Sequence, residues 1–178
     1  MRLAAIDIGS NAARLLITDV ISGPQGTKEF IKVVLVRVPL RLGFDVFDKG
    51  EIPPAKVEKI KTIKSYQLLL EVYDVKHWKA CATSAMRDAV NSPEIIKKVK
   101  AETGIEIQII SGKEEASFIY ENHIAENLTD EESYLYVDVG GGSTELTFFS
   151  DNKLIFKESF NIGTIRLLKN QVTEATWD

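Results

Sequence analysis

The sequence LYVDVGGGSTEL at residues 135–146 repeats the design of an earlier stretch, AAIDIGSNAARL at residues 4–15. In each stretch an apolar strand reaches an aspartate near its end, a turn of small residues follows, and a second strand begins. A charged residue stands seven positions after each aspartate. The chain therefore contains two predicted hairpins of one design, 131 residues apart, and they form an internal repeat.

The turns of both hairpins have a composition that suits phosphate. Glycine lets a backbone approach a phosphate closely, successive N–H groups in a tight turn form an anion-binding concavity, and hydroxyls add donors. A glycine-rich β-turn without a ligand is the alternative, and it is the simpler interpretation for Gly9 alone. The pair of turns favours phosphate. The candidate phosphate-binding residues are Gly9, Ser10, Asn11, Gly140, Gly141, Gly142, Ser143 and Thr144.

Three carboxylates accompany these turns: Asp7, Asp138 and Glu145. A carboxylate at a strand end cannot bind phosphate directly, because both groups are anions. It fits such a site if a divalent cation, often with water, lies between the two. Glu145 follows the second turn, so carboxylates from both strands of one hairpin can converge on one ion.

The remaining chain reads as strands alternating with helices. Three predicted strands open it, and turn and capping residues mark the later elements, although the stretch between Pro39 and Pro53 is predicted to be a loop. Strand-rich ribbons followed by alternating helices and strands favour an α/β fold with a mixed sheet. We predict strands at residues 3–8, 13–21, 29–38, 77–82, 105–110, 134–139, 144–150 and 153–161, and helices at about 55–73, from Asn91 or Ser92 to Gly104, from Ser111 to about 125, and from Gly163.

Composition indicates a globular chain. Of 178 residues, 44% are hydrophobic and 27% charged, and no apolar run is long enough for a membrane span. We expect no signal peptide. Because Cys81 is the single cysteine, we also expect no internal disulfide. Both expectations indicate a cytoplasmic protein. Residues 1–104 carry a net charge of +5 and residues 105–178 one of −9. A polyanion site on the first part is one interpretation, and a solvated lysine face on the helix after Pro54 is the other.

The sequence ISGKEEA at residues 110–116 contains two adjacent glutamates with different predicted roles. Ser111 and Glu114 have the spacing of a capping box, which accounts for Glu114. Glu115 flanks the apolar face of the same helix, where it could point into a cleft and act as a general base on water. The alternative for Glu115 is an acid that stabilises the first helical turn. We interpret His123, further along this helix, as a core residue.

The sequence ATSAMRDAVN at residues 82–91 places Arg87 after a strand, beside Thr83 and Ser84. A guanidinium in this position can hold a terminal phosphate through two hydrogen bonds and stabilise charge during phosphoryl transfer. A surface pair of Arg87 with Asp88 is the alternative. Cys81 is interpreted as a buried strand residue.

Together with DIGSNAARLLI at residues 7–17 and DVGGGSTEL at residues 138–146, these motifs resemble the exopolyphosphatase/guanosine pentaphosphate phosphohydrolase (Ppx/GppA) family. The resemblance implies the actin-like fold shared with sugar kinases and chaperone ATPases, with the active site between two similar lobes. It also implies that Glu115 is the catalytic base. Ala12 departs from the family, which commonly has a serine there. We expect a first lobe at residues 1–128 and the opening β-ribbon of a truncated second lobe at residues 129–178.

The resulting hypothesis is metal-assisted hydrolysis of a terminal phosphoanhydride, in inorganic polyphosphate or at the 5′ end of guanosine pentaphosphate. Mg²⁺ would be held by Asp138 and Glu145 with Asp7 in or near its shell, Arg87 would hold the terminal phosphate, and Glu115 would accept a proton from water. Two alternatives stay open: an ATP-dependent kinase or ATPase of the same superfamily, and a non-catalytic nucleotide-binding module.

The ribbon at residues 134–161 has no predicted helix to cover it. Leu135, Val137, Leu146 and Phe148 would then be exposed in a monomer. We therefore expect self-association, for example as a homodimer, or docking of the ribbon on another surface. Neither nucleic acid nor a membrane is an expected partner.

Overall fold

The computed structural model describes residues 1–124, 132–151 and 153–176. Its eight strands are β1 (Arg2–Ile8), β2 (Ala12–Ser22), β3 (Lys28–Pro39), β4 (His77–Ala82), β5 (Ile107–Ile109), β6 (Tyr134–Val139), β7 (Thr144–Ser150) and β8 (Lys153–Phe160). Its helices are α1 (Gly43–Lys49), α2 (Pro54–Ile60), α3 (Thr62–Val72), α4 (Ser84–Asp88), α5 (Ser92–Thr103), α6 (Gly112–Ile124) and α7 (Thr164–Leu168). Short 3₁₀ turns lie at Pro24–Gly26 and Glu174–Thr176.

The strands form two sheets. The first has the order β3-β2-β1-β4-β5, in which β1 pairs antiparallel with β2 and parallel with β4. The second is an antiparallel ribbon with the order β6-β7-β8. The mixed α/β architecture expected from the alternation of elements is confirmed.

The hydrophobic core lies between the first sheet and its helices. Alternate residues of β1 point to this side, and Ile6 and Ile8 are almost fully buried. Ile60 and Ile63 supply the helical side of the core, as their spacing predicts. Tyr66, also in the core, satisfies its buried hydroxyl by donating to the Ala13 carbonyl at 3.0 Å. This packing holds the carboxyl ends of β1 and β4 in fixed positions.

Helix α6 links the two sheets. Residues of α6 contact both β7 and β8. On its other side, the ammonium of Lys79 in β4 lies 4.7 Å from the ring centroid of Phe118. Lys157 of β8 donates a hydrogen bond to the Ser117 hydroxyl. The first turn of α6 is therefore placed where the two hairpin turns approach each other.

Three predicted elements are wrong in detail. The stretch predicted as a loop contains α1, whose Val46 and Phe47 are buried; its flanking glycines suggest a loop, but its apolar residues pack against α4 and α7. The helix predicted over 55–73 is divided at Lys61, because the amides of Lys61 and Lys64 bond three residues back, to Glu58 and Lys61, and tighten the turn. Strand β5 is also shorter than predicted.

The open face of the ribbon agrees in part with the prediction. Leu135 and Val137 are exposed at 59% and 54%, whereas Leu146 and Phe148 are half-buried. The predicted lobe boundary at 128/129 and the side chain of His123 lie outside the described residues, so both stay predictions. No helix in the described part of the chain is both long and apolar enough to cross a membrane.

Candidate active site

The two hairpin turns share one backbone hydrogen bond and one strand register. In the first, the Gly9 amide donates to the Ala12 carbonyl at 3.0 Å, and in the second the Gly140 amide donates to the Ser143 carbonyl at 2.9 Å. The strands that they join are in the same register, since Asp7 lies directly opposite Arg14 and Asp138 directly opposite Glu145. The repeat inferred from sequence is confirmed in three dimensions.

The carbonyls of both turns face a following segment of the chain. In the first turn, the Asn11 carbonyl accepts from the amides of Leu40 and Arg41 just before α1, at 3.0 and 2.7 Å. In the second, the carbonyls of Gly140 and Gly141 accept from Thr164 and Ile165 at the start of α7, at 3.0 and 2.9 Å. The repeat thus extends beyond each hairpin, because α1 and α7 serve their turns in the same way.

This arrangement leaves donors free on the second turn. In a planar trans peptide, the N–H points away from the preceding carbonyl. The amides of Gly141 and Gly142 therefore point away from α7. Within the described residues, the amides of Gly141, Gly142 and Ser143 donate to no acceptor. Successive unpaired amides in a turn form a concavity that favours an anion.

Both turns open onto one cavity of about 170 Å³. Its position at the ends of β1 and β6 follows from the repeat, because each turn begins where one of these strands ends. The buried hydroxyls of Ser10 and Ser84 lie 2.7 Å apart and join the first turn to α4. The cavity is lined by Asp7, Gly9, Ser10, Asn11, Ala12, Arg14, Thr83, Ser84, Glu115, Asp138, Val139, Gly140, Gly141, Ser143 and Glu145.

Most of the residues predicted for the site lie here. Of the predicted phosphate-binding and carboxylate residues, only Gly142 and Thr144 do not line the cavity. Thr144 instead donates its hydroxyl to the Ile162 carbonyl at 2.5 Å. A Cβ atom at Gly142 would lie 2.3 Å from the Ser84 hydroxyl and 2.5 Å from the Phe47 ring. The missing side chain at Gly142 is thus what allows the second turn to approach α1 and α4.

Glu115 combines burial with an unpaired oxygen. Its carboxylate lines the cavity, and its buried Oε2 has no hydrogen-bond partner among the described residues. Burial raises its pKa from 4.5 to about 7, and the nearby carboxylate of Glu145 adds to the rise, while Arg87 opposes it. A carboxyl group with a pKa near neutrality is well matched to proton transfer at physiological pH.

Glu114, its neighbour, is engaged elsewhere. The Ser111 amide donates to Glu114 Oε2 at 2.8 Å, and the Glu114 amide donates to the Ser111 hydroxyl at 3.2 Å. The predicted capping box is confirmed. The hydrogen bond from the Ser111 amide holds the pKa of Glu114 below its usual value. The two adjacent glutamates therefore lie in different environments.

Arg87 lies close to Glu115 but does not line the cavity. Its Nη1 donates to the Ile110 carbonyl at 2.7 Å and lies 4.0 Å from Glu115 Oε2. The guanidinium is thus near the expected base, and its role in holding a phosphate stays a prediction. Cys81 on β4 was predicted to be buried but is only half-buried, and this partial burial raises the pKa of its thiol.

The three predicted metal ligands differ in their surroundings. Glu145 is almost fully buried, and its Oε1 accepts a hydrogen bond from Ser159 at 2.8 Å. Asp7 keeps 44% of its side chain accessible. Desolvation of the remainder raises the pKa of Asp7, while Arg14, at 3.3 Å, opposes that rise and Asp138 adds to it. Among the described residues, no group of three or more potential ligands is compact enough to hold a metal ion by itself.

The sequence alone indicates neither Ser159 nor Arg166 as part of this region. Ser159 lies close to Gly112, where an added Cβ atom would come within 2.4 Å of the serine hydroxyl. Arg166 donates to the carbonyl of Gly142 at 2.6 Å. Both contacts join segments far apart in the chain, so local sequence patterns do not reveal them.

Comparison with known proteins places this chain in a phosphatase family. The model of the Ppx/GppA phosphatase family matches residues 21–176, and the chain belongs to this family. The resemblance inferred from the sequence motifs is confirmed.

Relatives and solved structures agree with this assignment. The chain is 32% identical to exopolyphosphatase 2 of Mycobacterium tuberculosis over 93% of this chain and 53% of that protein. It is 36% identical to a bifunctional 3-dehydroquinate synthase/phosphatase of Fusobacterium nucleatum over 92% of this chain and 25% of that protein. The chain therefore spans about half the length of the exopolyphosphatase relative and a quarter of the bifunctional one.

Solved structures of the same family have a similar fold. An exopolyphosphatase from Cytophaga hutchinsonii superposes with a TM-score of 0.82 at 30% identity, over 96% of this chain and 53% of that one. The Aquifex aeolicus member of the Ppx/GppA family superposes with a TM-score of 0.78 at 31% identity, over 99% and 58%. The α/β fold that the resemblance implies is confirmed by these structures, whereas the division into two actin-like lobes stays a prediction.

Proposed function

We propose that the protein hydrolyses a terminal phosphoanhydride bond, with inorganic polyphosphate or the 5′-phosphates of guanosine pentaphosphate as substrate. The observation that carries this proposal is the position of Glu115. Its carboxylate, with one buried unpaired oxygen, faces the cavity that both hairpin turns line. A site for phosphate and a site for a base are thus adjacent. The chain's membership in a phosphatase family and its similarity to an exopolyphosphatase support the same chemistry.

The chain's own groups account for most of the reaction. The free amides of Gly141 and Ser143, two residues that line the cavity, bind the terminal phosphate and fix its position. Glu115 takes a proton from a water molecule as the water oxygen bonds to phosphorus, and the bond to the bridging oxygen breaks. The leaving group is the rest of the substrate, which is either polyphosphate shortened by one phosphate or the corresponding guanosine tetraphosphate. Arg87, 4.0 Å from Glu115, offsets negative charge beside the base.

The carboxylates at the cavity fit Mg²⁺. Mg²⁺ is commonly held by one or two carboxylates together with substrate phosphates and water, and does not need a cage of protein ligands. Asp138 and Glu145, opposite each other across β6 and β7, supply two such carboxylates, and Asp7 near the end of β1 lines the same cavity. Bound there, Mg²⁺ would neutralise charge on the phosphate oxygens. Since carboxylate and phosphate are both anions, these side chains would contact the substrate through such a cation.

Phosphate release by the full-length protein tests the proposal. Long-chain polyphosphate, guanosine pentaphosphate and ATP are supplied in parallel, with Mg²⁺ and with EDTA. We expect Mg²⁺-dependent phosphate release from at least one of the first two substrates. Release of ADP from ATP while polyphosphate and guanosine pentaphosphate stay intact would instead identify a kinase or ATPase.

A further inference from the structure

Arg166 of α7 makes three contacts with three separate parts of the site. Its Nε donates to the Gly142 carbonyl at 2.6 Å, its guanidinium carbon lies 4.1 Å from the centroid of the Phe47 ring, and its Nη2 forms an ion pair with Asp88. Only 13% of the side chain is accessible. A surface arginine with one partner would remain mobile, whereas this one is fixed in three directions.

These contacts join the second turn to the elements of the first sheet. Gly142 belongs to the phosphate-type turn, Phe47 to α1, and Asp88 to the end of α4. Arg87, the residue next to Asp88, lies beside Glu115. The side chain of Arg166 therefore links the turn that would hold the phosphate with α4. Helix α4 carries Arg87, which lies beside the expected base.

The second turn depends on α7 for its shape. The amides of Thr164 and Ile165 bind the carbonyls of Gly140 and Gly141, and Arg166 binds the next carbonyl, that of Gly142. With three consecutive carbonyls held on one side, the amides that follow them are held on the other, and of these residues Gly141 and Ser143 line the cavity. Arg166 supplies the last of these three bonds.

We propose that Arg166 is a positioning residue that fixes the amides of the 140–143 turn relative to Arg87 and Glu115, and thereby sets the affinity of the turn for a phosphate group. The role rests on the proposed function of the site. Lysine could not replace it fully, because only the planar guanidinium can stack on a ring while donating in two directions. A displacement of about 1 Å at such a turn is sufficient for a large loss of binding or rate.

The test measures binding of imidodiphosphate, whose P–N–P bridge resists hydrolysis, to the full-length protein by calorimetry with Mg²⁺. We compare Arg166→Gln and Arg166→Lys with Lys169→Gln. Lys169 lies just after α7 and pairs with Asp48 at 3.6 Å, so its replacement removes a neighbouring cation and leaves the turn untouched. We expect affinity to fall by roughly tenfold or more in Arg166→Gln and by less in Arg166→Lys, with no change in Lys169→Gln.

A second measurement separates this role from a general loss of stability. Asp88→Asn removes the ion pair but keeps the bond to Gly142, and it should weaken binding less than Arg166→Gln does. If Arg166→Gln lowers only the unfolding temperature and binds imidodiphosphate as tightly as Lys169→Gln, the positioning role is refuted. Absence of any imidodiphosphate binding by the wild type would also refute it. Arg166-dependent binding without phosphate release from any substrate would refute the proposed hydrolysis and leave the positioning role intact.

Discussion

Replacement of Glu115 by glutamine should increase the free energy of unfolding relative to that of the wild-type protein, and this difference should grow as the pH rises. Burial raises the pKa of Glu115 from 4.5 to about 7. A group whose pKa is higher in the folded state stabilises the protein when protonated, and this stability is full below about pH 4.5 and is lost as the pH rises through about 7. Glutamine stays neutral, so the Glu115→Gln variant avoids that loss.

The size of the effect follows from the change in proton affinity. Each tenfold change is worth about 1.4 kcal/mol, so a rise from 4.5 to about 7 corresponds to about 3 kcal/mol. The free energy of unfolding of Glu115→Gln, relative to wild type, should increase by up to about 3 kcal/mol between pH 4.5 and 8. Urea denaturation in EDTA-containing buffers across this range measures the difference.

Glu114→Gln is the matched control. The hydrogen bond from the Ser111 amide lowers the pKa of Glu114, so ionised Glu114 stabilises the protein at neutral pH and that contribution is lost as the pH falls. The Glu114→Gln variant should therefore not gain on wild type as the pH rises. A pH-independent difference for Glu115→Gln, or the same trend in both variants, would show that Glu115 is not held in a desolvated site.

Three further predictions concern the second hairpin and its face. Asp138→Asn and Glu145→Gln should each raise the Mg²⁺ concentration for half-maximal turnover by roughly tenfold or more; wild-type turnover at limiting Mg²⁺ would show that the altered residue is not a ligand. Ser159→Ala leaves a buried oxygen of Glu145 without its donor, and urea denaturation should show a loss of about 1–3 kcal/mol, whereas unchanged stability would mean that the bond contributes nothing. The 178-residue chain should self-associate through the exposed Leu135 and Val137, and a monodisperse monomer in sedimentation without binding of a hydrophobic dye would contradict this.

The part of the site that could be predicted from sequence is the part fixed by local rules. Asp138 and Glu145 are seven positions apart, with a tight turn between them, and this spacing puts the two side chains opposite each other in one hairpin. The capping box likewise separates Glu114 from Glu115 within one helical turn. In both cases the geometry depends on neighbours in the chain, so the pattern was sufficient.

The rest depends on contacts between distant segments. Nothing near Arg166 in sequence indicates that it reaches Asp88, 78 residues away, or that Ser10 meets Ser84. Helix α1 was obscured by Gly43 and Gly50, although the repeat contained a sign of it. Helix α7 follows β8, the third strand of the second sheet. The repeat therefore indicates an equivalent helix after β3, the third strand of the first sheet.

The most direct test of the central claim is the turnover of Glu115→Gln on long-chain polyphosphate, compared with Glu114→Gln in the full-length protein. If Glu115 is the general base, its glutamine variant should bind polyphosphate with near wild-type affinity and lose roughly 10²–10⁴-fold in turnover. Glu114→Gln should lose much less, because glutamine still completes a capping box. Equal losses in the two variants, or a larger loss in Glu114→Gln, would contradict the assignment of the base to Glu115.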